Sequence, residues 1–222
     1  QSKSETRPFQ AQWIITSGPT SPKNSHGPGS GIHLGYFLSK NIYIGMTSIV
    51  FADPEVTSNS DDEDKFYDDA KIYGQDGAET DNSVIDPKHI LEFRVIPWNF
   101  GLYFSGGIIY NGVESYDVSF NKRDRTINGN AYRTGLEAKV EYEATVLPAA
   151  GIGYNHLFNN AININVGLNI ALAYPQTPDV EVKAINSDST VTQADLDYWK
   201  RRIEKNEKRS TALFTFGVGY SF

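Results

Sequence analysis

Residues 161–174, AININVGLNIALAY, alternate without a break. Ile162, Ile164, Val166, Leu168, Ile170, Leu172 and Tyr174 fall on one side of an extended strand, and Asn163, Asn165, Gly167, Asn169, Ala171 and Ala173 on the other. Residues 211–222 repeat the pattern, with Ala212, Phe214, Phe216, Val218, Tyr220 and Phe222 set against Thr211, Leu213, Thr215, Gly217, Gly219 and Ser221. The second face is what constrains the fold. A half-exposed strand of a soluble sheet turns long charged side chains to water, and these strands have none. Small uncharged residues suit the crowded interior of a closed barrel whose greasy face points outward. The alternative, a lipocalin-like barrel or β-sandwich with the apolar face inward, would leave Asn163, Asn165, Gly167, Asn169 and Gly217 as its wet surface.

The same alternation runs through residues 10–17, 31–39, 41–51, 89–96, 101–112 and 139–154, which makes eight strands in all. The connections alternate in length. Residues 39–41, 97–100 and 156–160 are short, whereas 18–30, 52–88, 113–135 and 175–209 are long. Short turns at one end and long loops at the other describe an up-and-down antiparallel barrel in an outer membrane, all-β, with a short periplasmic tail over residues 1–8. Aromatics gather where the two interfaces would lie: Tyr36, Tyr43, Trp98, Phe100, Tyr154, Phe158 and Tyr220 near the short turns, Tyr110, Tyr142 and Tyr174 near the long loops.

Composition agrees with a single barrel domain over residues 1–222. The net charge of −7 gives no basic footprint for nucleic acid, and the absence of Cys excludes disulfides and thiolate chemistry. A mean hydropathy of −0.42 says little, because barrel strands carry a weak hydropathy signal. A start at Gln1, without Met or an apolar leader, fits a secreted form from which the signal peptide has been removed.

The closing FGVGYSF, with Tyr220 and Phe222 in an alternating aromatic pattern, resembles the assembly signal of bacterial outer-membrane barrels. Over nearly its whole length the chain is similar to the small eight-stranded barrels of the OmpA-, OmpX- and OmpW-like superfamily. The resemblance implies residence in the outer membrane, contact with its lipid and lipopolysaccharide, and recognition of the last strand by the assembly machinery. No motif of the lipid A-modifying barrel enzymes matches this chain, no Ser stands in a nucleophile turn, and the histidines at 26, 33, 89 and 156 lack ligand spacing. No catalytic residue, metal or cofactor is therefore expected.

An eight-stranded barrel is just wide enough for side chains to fill. Glu92, Arg94, Lys139, Glu141 and Glu143 are expected to project inward as a charged network, with Asn163, Asn165, Asn169, Thr145 and Thr215 lining the rest. Pro148 donates no ladder bond and marks a candidate seam, which in OmpW-like barrels would be a lateral exit for a hydrophobic solute. The acidic stretch over residues 53–81 suits a solvated loop or a weak Ca²⁺ or Mg²⁺ site. Thr192 and Asp195 resemble a capping box, and Leu196, Trp199 and Ile203 recur at helical spacing before a basic run ending at Arg209. Two functions follow: a structural or surface-interaction protein acting through its loops, or a narrow conduit or binding site for small hydrophobic solutes.

Overall fold

The computed structural model describes residues 7–17, 29–51, 78–98 and 100–222. Twelve strands and one helix follow in chain order: β1 (Phe9–Ser17), β2 (Gly29–Ser39), β3 (Ile42–Phe51), β4 (Ala78–Ile85), β5 (Lys88–Val95), β6 (Leu102–Asn111), β7 (Glu114–Ile127), β8 (Asn130–Tyr142), β9 (Thr145–Leu157), β10 (Ile162–Ala171), β11 (Asp179–Ile185), α1 (Gln193–Asn206) and β12 (Ala212–Ser221). Eight strands close a barrel in the order β1-β12-β10-β9-β6-β5-β3-β2, and the other four form a separate sheet, β11-β8-β7-β4.

The barrel is antiparallel throughout. Its closing ladder runs from Gln10↔Ser221 to Ser17↔Phe214, and Phe9 and Phe222 exchange backbone bonds of 3.0 and 3.1 Å below it. Every strand buries one parity and exposes the other, as the alternation demands. The outer face is apolar: Trp13, Ile32, Val146 and Leu172 are 57–61 % exposed, and large hydrophobic residues surround them on all eight strands. So large a contiguous apolar surface suits acyl chains rather than water. Tyr43 and Tyr142 are exceptions to the expected aromatic belt. Tyr43 shares parity with Gly45 and Thr47 rather than with Ile42 and Ile44, and it is buried inside the barrel; Tyr142 is buried in the second sheet.

The segment expected as one strand over 139–154 is two. β8 ends at Tyr142, residues 143–144 break the ladder, and β9 begins at Thr145. Residues 113–135, expected as a loop, are mostly the β7–β8 hairpin, turned at Asn128 (φ 52°) and Gly129 (φ 86°). Positive φ at both central residues is the type I′ requirement that Asn-Gly satisfies. The last long connection contributes β11 and α1. One face of the second sheet and the helix share a core of their own, with Phe120, Leu136, Val140, Val180, Trp199 and Ile203 among its members. Thr192 caps α1 as expected, accepting from the Asp195 amide. The acidic stretch lies, up to residue 77, outside the described residues.

Candidate functional site

Side chains fill the barrel interior in layers. Nearest the short turns, Phe37, Tyr43, Ile96 and Tyr103 pack together. Nearest the long connections, Ile49, Phe51, Ile90, Ile109, Ala149 and Leu213 do the same. Between them lies a polar layer centred on Arg94. Its guanidinium bonds Glu92 Oε1 at 2.5 Å, two residues away on β5, and crosses to Asn165 Oδ1 on β10 at 3.2 Å. Two strands, β6 and β9, separate β5 from β10 around the wall, so this bond spans the lumen. The guanidinium carbon also lies 4.3 Å from the Tyr103 ring centroid and 4.9 Å from that of Tyr43. A desolvated cation over two aromatic faces gains about 2 kcal/mol or more from such contacts.

The layer extends through His33, whose ring nitrogens lie 2.7 Å from Thr47 Oγ1 and 2.6 Å from Tyr43 Oη, with Glu92 Oε1 at 3.8 Å. Across the barrel Ser105 donates to Asn169 Oδ1 at 3.1 Å, and Thr215 donates to the Gly167 carbonyl. Below, Gln12 donates to Asn163 Oδ1 at 2.5 Å, and Asn163 donates to Ser221 Oγ at 2.8 Å. The bulky tyrosines need bare neighbours: a Cβ on Gly167 would stand 2.6 Å from the Tyr103 hydroxyl oxygen. Gly153 on β9 and Gly167 on β10 are thus the complement of Tyr103 on β6, as Gly35 and Gly45 are of Tyr43.

A second buried cluster sits at the mouth. Glu114 at the start of β7 meets Arg209 Nη1 at 2.5 Å and Lys88 Nζ at 3.9 Å. Arg209 lies 3.5 Å over the Tyr142 ring, whose hydroxyl donates to the Glu207 carbonyl at 2.6 Å. Burial first, then the Glu207 charge, pushes the Tyr142 phenol above its ordinary pKa. Tyr116 donates to Glu207 Oε2 at 3.0 Å, and Asn111 to Thr211 Oγ1 at 2.9 Å. The end of α1 is thereby fastened over the mouth by groups from β5, β6, β7 and β8.

Of the five residues expected in the charged network, only Glu92 and Arg94 face the lumen. Lys139 and Glu141 lie on β8 outside the barrel, where they pair with each other at 3.0 Å while half exposed. Glu143 stands exposed in the link between β8 and β9, its carbonyl accepting from Gln176 Nε2 at 2.8 Å. The alternation that suggested otherwise belongs to a water-facing sheet. Asn163, Asn165, Asn169 and Thr215 are buried in the lumen, and Thr145 stands at its top opposite Asn111. Pro148 opens no gap: β9 keeps an unbroken register with β6 from Tyr154 to Thr145, and the Pro148 carbonyl accepts from Leu172 at 2.7 Å. Its ring takes the place of one N–H at the extreme top of β10, where the ladder ends anyway. Tyr220 and Phe222 lie exposed on the outer face of the closing strand. Sequence reasoning missed His33, Tyr43, Tyr103, Lys88, Glu114 and Arg209; strand parity was a signal for the first four.

Neither a protein-family model nor a curated protein matches the sequence. Among solved structures, the chain is similar to CarO of Acinetobacter baumannii at 16 % identity and a TM-score of 0.52, over 99 % of this chain and 100 % of that one. It is similar to CarO2 of the same organism at 17 % identity and a TM-score of 0.52, over 97 % and 99 %. These likenesses establish the fold, a closed eight-stranded barrel of the outer-membrane type.

Proposed function

We propose that the chain spans a bacterial outer membrane as a plugged barrel and acts, without catalysis, through the sheet and helix it carries outside. The observation that supports this most is Arg94. A guanidinium held by Glu92 on its own strand, by Asn165 across the lumen and by two tyrosine rings occupies the cross-section that an ion or solute would need. The apolar layers above and below it make the same argument. An eight-stranded barrel so filled is a rigid post. Three of the four long connections of the post build the external sheet and helix, and surface-exposed connections on a rigid scaffold are where binding concentrates. Outer-membrane lipid and lipopolysaccharide are its immediate surroundings, Tyr220 and Phe222 of the closing strand are its contact with the assembly machinery, and a surface partner would meet the external sheet. The conduit reading loses the seam at Pro148 on which its lateral exit depended.

The test is in two steps. Refolded protein should migrate on a gel as a compact species that unfolds only on heating, and it should remain silent in planar lipid bilayers. Discrete conductance steps from the unaltered protein would mean an open lumen and overturn the proposal.

A further inference from the structure

The exposed face of α1 is basic along one line. Arg201 and Lys205 lie one turn apart on the helix, and Lys208 follows two residues beyond its end at Asn206; all three are exposed, on a chain whose net charge is −7. Neighbouring cations are engaged within the protein: Lys200 pairs with Asp179 at 3.1 Å and Glu204 at 3.6 Å, and Arg202 lies over the Tyr198 ring. Among the described residues none pairs with Arg201, Lys205 or Lys208 in this way. The helix also has a defined height. Its first turn is bound to the tip of the β7–β8 hairpin through Asp195, and its last meets Tyr116 and Tyr142 at the hairpin's base. It therefore descends toward the barrel.

What it descends to is the edge of the apolar band. Arg209 and Gln176 exchange backbone bonds of 2.7 and 3.0 Å. Two residues before Gln176, and three beyond the end of β10, stands Tyr174, 97 % exposed. Lys208, the next residue outward from Arg209, thus lies three residues of chain above that tyrosine, roughly 10 Å if extended. Lys205 stands in the last turn of α1, above Lys208, and with about 1.5 Å of rise per helical residue Arg201 is about 6 Å farther up. Headgroups add about 5–8 Å to each side of the hydrocarbon, and at physiological salt a charge is felt over about 8 Å.

We infer that Lys208 and Lys205, with Arg201 at the limit of range, bind the phosphate groups of lipid headgroups in the external leaflet and tie the external sheet to the membrane surface. This rests on the membrane-spanning reading above. Charge complementarity identifies the occupant: exposed cations that pair with no described side chain, above the rim of the barrel, on an otherwise acidic protein. Glu143, exposed near the same rim, opposes it.

Protein refolded in a nonionic detergent would be titrated with short-chain phosphatidate and with phosphatidylcholine, bound lipid being counted by native mass spectrometry. Phosphatidate should bind at least tenfold more tightly. Replacing Lys205 or Lys208 by Gln should weaken it about fivefold each, Arg201→Gln less, and the triple change about a hundredfold. Lys205→Arg with Lys208→Arg should retain binding, and Glu143→Gln should strengthen it. Inorganic phosphate at tens of millimolar should not displace the lipid. Equal binding of the two lipids, an unaffected triple variant, loss of binding in the Arg variant with its compact band intact, or full displacement by inorganic phosphate would overturn the inference. Heat-modifiable migration separates the two readings: if wild-type protein lacks it, the membrane-spanning proposal fails; if wild type and triple variant both have it, the lipid result bears on the helix alone.

Discussion

Glu92 and Arg94 share one face of one strand, and neither has water to turn to. Removing one partner of a buried pair leaves an uncompensated charge and costs about 3–5 kcal/mol, whereas replacing both with apolar groups of similar volume is often close to neutral. Arg94→Leu and Glu92→Leu should each lower stability toward denaturant by that amount, and the double variant should recover most of it; additive losses would show that the two charges do not compensate each other. Asp195 differs because it lies outside the barrel. Donors from Tyr132 (2.5 Å), Asn128 (3.0 Å), Thr192 (2.8 Å) and Asn130 (3.0 Å) converge on its carboxylate. The Tyr132 bond first, then those from Asn128, Thr192 and Asn130, hold its pKa down at about 2 from an ordinary 3.8. A depressed carboxylate pKa stabilises the fold above the unfolded value, so helix docking should persist above pH ~4 and weaken as pH falls toward 2. Trp199 emission, in a variant with Trp13 and Trp98 replaced by Phe, should report that loss, and Asp195→Asn should remove the pH dependence.

Barrel strands were readable because a closed barrel with an apolar outside and a packed inside imposes parity on every residue. Asn163, Asn165, Asn169 and Thr215 were placed correctly by that rule alone. Tyr43 was not, because nearness to a turn suggests a belt residue although its parity matches Gly45 and Thr47. The error over Lys139, Glu141 and Glu143 has a different origin. β8 and β9 follow one another with only residues 143–144 between them, and two successive alternating strands read as one. Charges on the polar face do not settle it, because β5 turns Glu92 and Arg94 into the lumen while β8 and β11 turn Lys139, Glu181 and Lys183 to the outside. The Asn-Gly at 128–129 marked the hairpin. A Cβ at Gly129 would meet nothing within 4 Å, so Gly129→Ala tests conformation alone. It should cost the external sheet roughly 1 kcal/mol in thermal unfolding followed at Trp199, and an unchanged midpoint would mean that this turn does not set the register.

At the scale of the molecule, two kinds of packing coexist. The barrel turns its apolar side chains outward and fills its centre with a layered mixture, while the second sheet hides its apolar face under α1. The external core shares no buried residue with the two barrel clusters. Replacing residues 114–142 with a short Gly/Ser link should therefore leave a heat-modifiable barrel. Failure of that variant to refold would mean that the mouth cluster around Glu114 is required for the barrel itself. Which residues meet at the mouth was not readable in the sequence, since Lys88, Glu114 and Arg209 come from three separate segments.

The ladder between β1 and β12 has a kinetic consequence. It pairs Gln10 with Ser221, residues at opposite ends of the barrel's sequence, so the ring cannot shut before its last strand arrives. Non-local pairing of this kind makes folding slow, and until then β1 and β12 each leave a row of backbone donors and acceptors open to any passing strand. The chain must be shielded from its own copies for that interval. Its rate of insertion should depend more on the last strand than on any turn.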